Sequence, residues 1–328
     1  MPRAAGWGLL AAVAFGAPFF LGNYGLHLLV LVCMYVALSS SWNILTLAGQ
    51  LTLGHAGFFG VGAYTSALLA LRLGVPFAAG MVDGAVAAGV LAAGIGLICL
   101  RLRGVYLAIA TLSLAEALKI VVLNFPDFTE GSIGITLSPV FGGARRPAYF
   151  VMLAVAVLPV VATAAIKRSR LHVIFGAIRE DEGAAQMLGI DTTVYKVLAF
   201  GLSAFFAGLA GGFYPHYITY TVPDSVFSIG LSIEAQIMPI LGGLYTVAGP
   251  VVGAVVLTLA GEYLRARFGA ANLLIYGLAM IVAILCLPQG LVGLLARRRR
   301  TRATGDTTTE RVAGGVSDVR GGGASGDP

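Results

Sequence analysis

Few residues of this chain could do chemistry, and each interrupts apolar sequence. Asn43, Gln50, Thr52 and His55 flank Gly54 between two apolar runs, Glu116 and Lys119 stand three apart in another, and Glu234 with Gln236 opens a stretch broken by Pro239 and Pro250. The groups around Gly54 have two readings: they satisfy the backbone of a turn, or, with free donors at the start of the next helix, they meet the carboxylate of a solute. Glu116 and Lys119 share a helix face and are either path-lining groups or a self-neutralising pair near the outer interface. Glu234 is open between a pathway role and a helix-start role. An ionisable group at the centre of a membrane helix costs roughly 2.5–3.5 kcal/mol to insert, so such groups are expected to face the bundle interior. His27 reads as a packed core residue, and Asp83 as a helix-interface group.

No catalytic set emerges. His27, His55, His172 and His216 are far apart without carboxylates at ligand spacing, and no G-x-S-x-G occurs. Cys33, Cys99 and Cys286 lie in apolar runs without a C-x-x-C pair, as small buried hydrophobes do. No metal site is expected, and a membrane enzyme is disfavoured. The lysines, Lys119, Lys167 and Lys196, are not in a G-x-x-x-x-G-K-[ST] loop, so no P-loop nucleotide site and no cofactor are expected on this chain.

The elements that must position these residues are membrane helices. Of 328 residues, 58% are hydrophobic and 11% charged, against about 25% charged in soluble domains. Apolar runs between turn and charge signals predict about ten spans, near 8–21, 25–46, 54–72, 77–100, 104–123, 148–166, 193–215, 230–243, 247–262 and 272–295, some short or broken. The segment ahead of residue 21, with Arg3 before an apolar run, is expected to be an uncleaved first span and not a secretory signal. Fold class is thus all-α, a polytopic integral membrane bundle. The net charge of +6 collects at Arg101/Arg103, Lys167/Arg168/Arg170 and Arg297 to Arg300, each at the end of an apolar run. That pattern places both termini and the segment 169–190 in the cytoplasm, with Arg145, Arg146, Arg265 and Arg267 outside. No domain is left over to carry a nucleic-acid surface.

Among the 45 glycines, Ala204, Gly208 and Gly212 and the adjacent row Ser203, Ala207 and Gly211 form small stripes that let helix backbones approach closely in lipid. Gly80/Gly84 and Gly249/Gly253 repeat that spacing. A weak echo links Ala56-Gly57 through Gly60 with Ala248-Gly249 through Gly253, as internal repeats of transporters do. The longest internal polar segment, 169–190, is expected to form a short amphipathic helix from Ile178 to a stop at Gly189. Ile178, Ala185 and Leu188 lie along one side and Arg179, Glu182 and Gln186 along another, a pattern suited to a groove in a soluble partner.

The residues Ala177-Ile178-Arg179-Glu180-Asp181-Glu182, Ala184-Ala185 and Leu188-Gly189-Ile190 resemble the cytoplasmic coupling loop of the branched-chain amino acid ABC permeases. Three further stretches are similar to the LivM-type subunit of that family: Gly49 through Gly60; Leu102 through Leu112; and Ser232-Ile233-Glu234 with Leu241-Gly242-Gly243, Gly249-Pro250 and Pro288-Gln289-Gly290. The likeness runs in order over roughly 25–295 and departs mainly after Gly131-Ser132-Ile133-Gly134-Ile135, which is short before Arg145. It implies a type II ABC importer-like permease domain at 1–296, with a disordered cytoplasmic tail at 297–328. It also implies a homologous second permease, two cytoplasmic ATPases, an extracytoplasmic substrate-binding protein and a bacterial plasma membrane. The coupling loop of the family docks on its ATPases, which assigns that role to Ile178, Arg179, Glu180, Asp181, Glu182, Ala184, Ala185, Leu188 and Gly189. Rival cargoes in the same architecture are urea, short amides or aromatic acids; an ion-coupled carrier working alone is the rival of another class.

Overall fold

The computed structural model describes residues 14–99, 102, 104–268, 277–278, 281 and 290–293. The tail 297–328 and Cys286 fall outside them, as does most of the span expected near 272–295; of the span expected near 8–21, residues 14–21 are described, and 14–20 are helical. Ten helices carry the described fold: α1 (Asn23–Leu47), α2 (His55–Leu73), α3 (Phe77–Cys99), α4 (Val105–Asn124), α5 (Arg145–Arg168), α6 (Leu171–Glu180), α7 (Glu182–Met187), α8 (Thr192–Ile218), α9 (Ile229–Gly242) and α10 (Ala248–Phe268). Short helical turns at Pro126–Thr129 and Pro223–Val226 join them. One two-stranded pair departs from the all-helical expectation: β1 (Ile135–Thr136) runs antiparallel to β2 (Tyr220–Thr221), Ile135 opposite Thr221.

Seven helices among the described residues are long and apolar enough to cross a membrane: α1, α2, α3, α4, α5, α8 and the unit Pro223–Gly242 that contains α9. The expected count of about ten is not reached among the described residues, which leave out part of the first expected span and most of the last. Helix α10, which gathers Glu262, Arg265 and Arg267 in its last turns, is not in that set.

Local chemistry sets the helix ends. Gly74, left-handed at φ 62°, stops α2, the conformation glycine adopts without a Cβ penalty. Asp191 caps α8 by accepting from the Thr193 and Val194 amides, and Ser228 caps α9 by accepting from Gly230. Chain direction then alternates: α1, α3, α5 and α9 run toward the end that holds α6 and α7, while α2, α4, α8 and α10 run away from it.

The core lies where α8 packs into the angle between α2 and α3, with α1 and α5 closing behind. It is built from backbone as much as from side chains. A Cβ at Gly62 on α2 would overlap the Gly208 carbonyl on α8, and one at Gly211 would overlap the Phe59 carbonyl on α2. At Gly212 a Cβ would lie 3.0 Å from Met81 Cα on α3. Ala204 and Ala207 are fully buried on the same face. In lipid no hydrophobic exclusion drives helices together, so close backbone approach and dispersion must supply the adhesion. Around this seam pack Phe58, Phe59, Phe200 and Phe213. Helix α4 keeps an outward apolar face of Val105, Tyr106, Ile109, Ile120 and Val121, tolerable only where the surroundings are not water.

The echo between 56–60 and 248–253 becomes two helix starts, α2 and α10, each following a turn at the α6–α7 end. The likeness stops there: α10 packs closely on α9, whereas α2 meets α1 through the buried Ser41–His55 contact and packs chiefly on α8 and α3.

Candidate functional site

The segment 169–190 folds as two helices, α6 and α7, where a single helix from Ile178 was expected. The break is at Asp181. Its backbone is extended (φ −154°, ψ 110°), and its side chain accepts from the Gly183 and Ala184 amides at 2.8 and 3.0 Å. An acidic residue able to satisfy the orphan amides of a following helix ends one helix to cap the next. Gly189 at φ 80° closes the segment.

The apolar side expected of that helix is divided between two destinations. Ile178 and Ala185 are buried against the chain's own bundle, while Met187 and Leu188 are 89% and 78% exposed. Glu182 also turns inward: its Oε1 lies 2.7 Å from Lys196 Nζ and accepts from Thr192 at 3.1 Å. Glu180 stays exposed beside Arg179, Nη2 to Oε1 3.1 Å. Ala184 lies on the exposed side of α7.

Arg179 links the segment to the turn 243–247 between α9 and α10. Its guanidinium sits 4.4 Å from the ring centre of Tyr245, a cation–π contact worth about 0.5–2 kcal/mol. Lys167 donates to the Tyr245 carbonyl. From the other side Asn43 Nδ2 donates to the Thr246 carbonyl at 3.0 Å, and Asn43 Oδ1 accepts from the Tyr245 amide at 3.2 Å. Tyr245 itself is held at φ 61°, a conformation that non-glycine residues adopt at a cost unless the surroundings fix it. Gly49, at φ 74°, lets the end of α1 approach the same helix: a Cβ there would lie 2.9 Å from Arg179 Cα. Arg179, Tyr245, Asn43 and Gly49 therefore tie α1, α6, α9 and α10 at one point.

Of the other residues expected at a path, Gln50 is buried, and neither amide atom has a partner among the described residues. The Thr52 carbonyl accepts from Trp42 Nε1 at 3.0 Å, and its hydroxyl is unpartnered among the described residues. His55 Nε2 lies 2.8 Å from Ser41 Oγ. These three, with Asn43, form the packed polar break between α1 and α2. Glu116 pairs with Lys119 at 3.4 Å, and Lys119 reaches Asp224 at 2.7 Å; Glu116 and Lys119 are partly buried and Asp224 is exposed, in the half of the bundle away from α6 and α7. His27 bonds Tyr217 at 2.7 Å.

Glu234 is placed differently. It borders a cavity of about 330 Å³ between α1, α9 and α10, together with Tyr35, Glu262 and Arg265. Neither this cavity nor a second one of about 290 Å³ near His27, Arg145 and His216 is lined by Asn43, Gln50, Thr52, His55 or Glu116. Sequence reading missed Glu262 and Arg265 as site residues; the visible signal was an acid and a base three apart in the last turns of an otherwise apolar helix.

Alternating apolar helices seamed by glycine and joined by one charged helical pair make this a multi-pass helical membrane protein. The chain belongs to the family described as branched-chain amino acid transport system permease component, whose model matches residues 25–285. It is 32% identical over 318 residues to the high-affinity branched-chain amino acid transport system permease protein LivM of Salmonella typhimurium, spanning 86% of this chain and 73% of that one. LivM of Escherichia coli K12 is 32% identical over 319 residues, 87% and 73% of the two chains. A second permease protein of the same system, LivH of Escherichia coli K12, is 24% identical over 270 residues, 75% and 86% of the two. No solved structure matches the chain.

Proposed function

We propose that this chain is one of two homologous permease subunits of an ATP-driven importer of branched-chain amino acids in a bacterial plasma membrane. It works with a pair of cytoplasmic ATPases and an extracytoplasmic binding protein. The observation that carries this reading is the family membership across 25–285, reinforced by likeness to both LivM and LivH. Energy enters from outside the chain, since its lysines lie in no phosphate-binding loop.

In this mechanism α6 and α7 face the cytoplasm, and Met187 and Leu188 seat in a groove of an ATPase, with Glu180 at the rim. Closure of the ATPase pair pushes the two short helices. Ile178 and Ala185, buried in the bundle, make the push a rigid displacement. Arg179 and Lys167 pass it to the Tyr245 turn, and that turn moves the ends of α9 and α10, which wall the cavity at Glu234. Two discrete arrangements of packed helices, biased by nucleotide, are what alternating access requires.

The test is leucine uptake into proteoliposomes carrying the complete transporter. Uptake is expected to need ATP inside, binding protein outside and both permeases. Ion-gradient-driven uptake by this chain alone would contradict the reading, as would selective import of urea or short amides.

A further inference from the structure

We infer that the cavity between α1, α9 and α10 is a binding site for a zwitterionic aliphatic amino acid inside the permease itself, with the ligand's ammonium on Glu234 and its carboxylate on Arg265. This rests on reading the chain as an amino-acid importer subunit and assigns a substrate site to it.

The cavity, about 330 Å³, sits at the small end of the range for small-molecule pockets. Its charges are of both signs and come from two helices. Glu234 lies in the second turn of α9, partly buried, with Tyr35 of α1 as a hydrogen-bond partner. Glu262 of α10 is already engaged, accepting from the Tyr24 hydroxyl at 2.7 Å and facing Arg265 Nη1 at 3.5 Å. As the contact Arg265 makes among the described residues, that long approach leaves the side chain, 70% exposed, with donors for a second carboxylate. The rest of the lining is mixed: Leu31 and Met34 of α1, Leu231 and Met238 of α9 and Leu257 of α10 supply apolar surface, while Tyr214, Ser225, Ser228 and Thr258 supply hydroxyls.

That arrangement selects by chemistry. A simple anion would meet two carboxylates and a simple cation would meet the guanidinium, whereas a zwitterion satisfies both signs. Urea and short amides carry neither charge and would leave Glu234 and Arg265 without a counter-ion, and the five apolar side chains of the lining favour an aliphatic ligand side chain over a charged one. The cavity also lies on the two helices joined by the Tyr245 turn, so a displacement at Arg179 would alter it.

The test uses the complete transporter in lipid nanodiscs without binding protein, and measures equilibrium binding of radiolabelled L-leucine. Competitors are 4-methylpentanoate, which lacks the ammonium, and 3-methylbutylamine, which lacks the carboxylate. Leucine should bind saturably and outcompete both. Glu234→Gln should weaken leucine roughly ten-fold or more while leaving 4-methylpentanoate unchanged. Arg265→Gln should weaken leucine and spare 3-methylbutylamine. Leu231→Phe, which fills the wall and keeps both charges, should shift preference from leucine toward alanine. Equal weakening of all three ligands by both charge variants, or unchanged leucine binding, overturns the proposal, as does absence of leucine binding to a wild-type complex that performs ATP-driven leucine uptake. Absence of that uptake instead removes the reading on which the site rests.

Discussion

Lys196 and Glu182 show how a charge cluster can mislead when only its sequence is visible. The run Arg179-Glu180-Asp181-Glu182 reads as a solvated face offered to a partner, yet the four residues part ways. Arg179 stacks on Tyr245, Asp181 caps α7, and Glu182 turns inward to Lys196 and Thr192. Glu180 keeps a mostly exposed side chain, at 77%. Residue type fixed that these groups were polar; their direction depends on where the α6–α7 break falls. Because the Lys196 and Glu182 side chains are only 9% and 16% exposed, removing one partner strands an enclosed charge, at a cost of about 3–5 kcal/mol. Replacing both with apolar residues of similar size is expected to be far milder. Lys196→Met should therefore lower the thermal midpoint of the purified transporter sharply, and the double variant Lys196→Met with Glu182→Leu should recover most of the loss. A double variant as unstable as the sum of the singles would show that the pair is not a unit.

At the scale of elements, stripes of small residues were legible because their spacing is local: Ala204, Gly208 and Gly212 repeat once per turn. Which helices they would meet was not legible, since the contact with Gly62 on α2 and Met81 on α3 joins distant parts of the chain. The span expected near 54–72 lies within a residue of α2 at each end, whereas the break at Asp181 was missed because the same acidic side chain fits a helix face or an N-cap. The Gly62 contact predicts a clear asymmetry. Gly62→Ala must force α2 and α8 apart, so assembled transporter should fall several-fold in yield and melt earlier. Gly176→Ala on α6, where a Cβ meets nothing within 4 Å, gains helix propensity and should be neutral or stabilising by about 0.5–1 kcal/mol. Similar stability for the two variants, measured by thermal unfolding in detergent, would refute close packing at that seam.

For the whole molecule, membrane class, helical architecture and family were legible because composition and several ordered motifs agree across most of the chain. The cavity was not, because it needs Glu234, Glu262 and Arg265 from helices whose packing no local pattern encodes. The functional account depends on one directional relation: work enters at α6–α7 and reaches α9 and α10 through Arg179 and the Tyr245 turn. The most direct measurement is site-specific crosslinking of Leu188→Cys in the complete transporter, with Cys33, Cys99 and Cys286 replaced by serine. The account predicts a crosslink from residue 188 to an ATPase subunit that changes in yield between the ATP-bound and nucleotide-free states. Labelling of residue 188 by a membrane-impermeant thiol reagent added outside intact cells, with no crosslink to the ATPase, would contradict it.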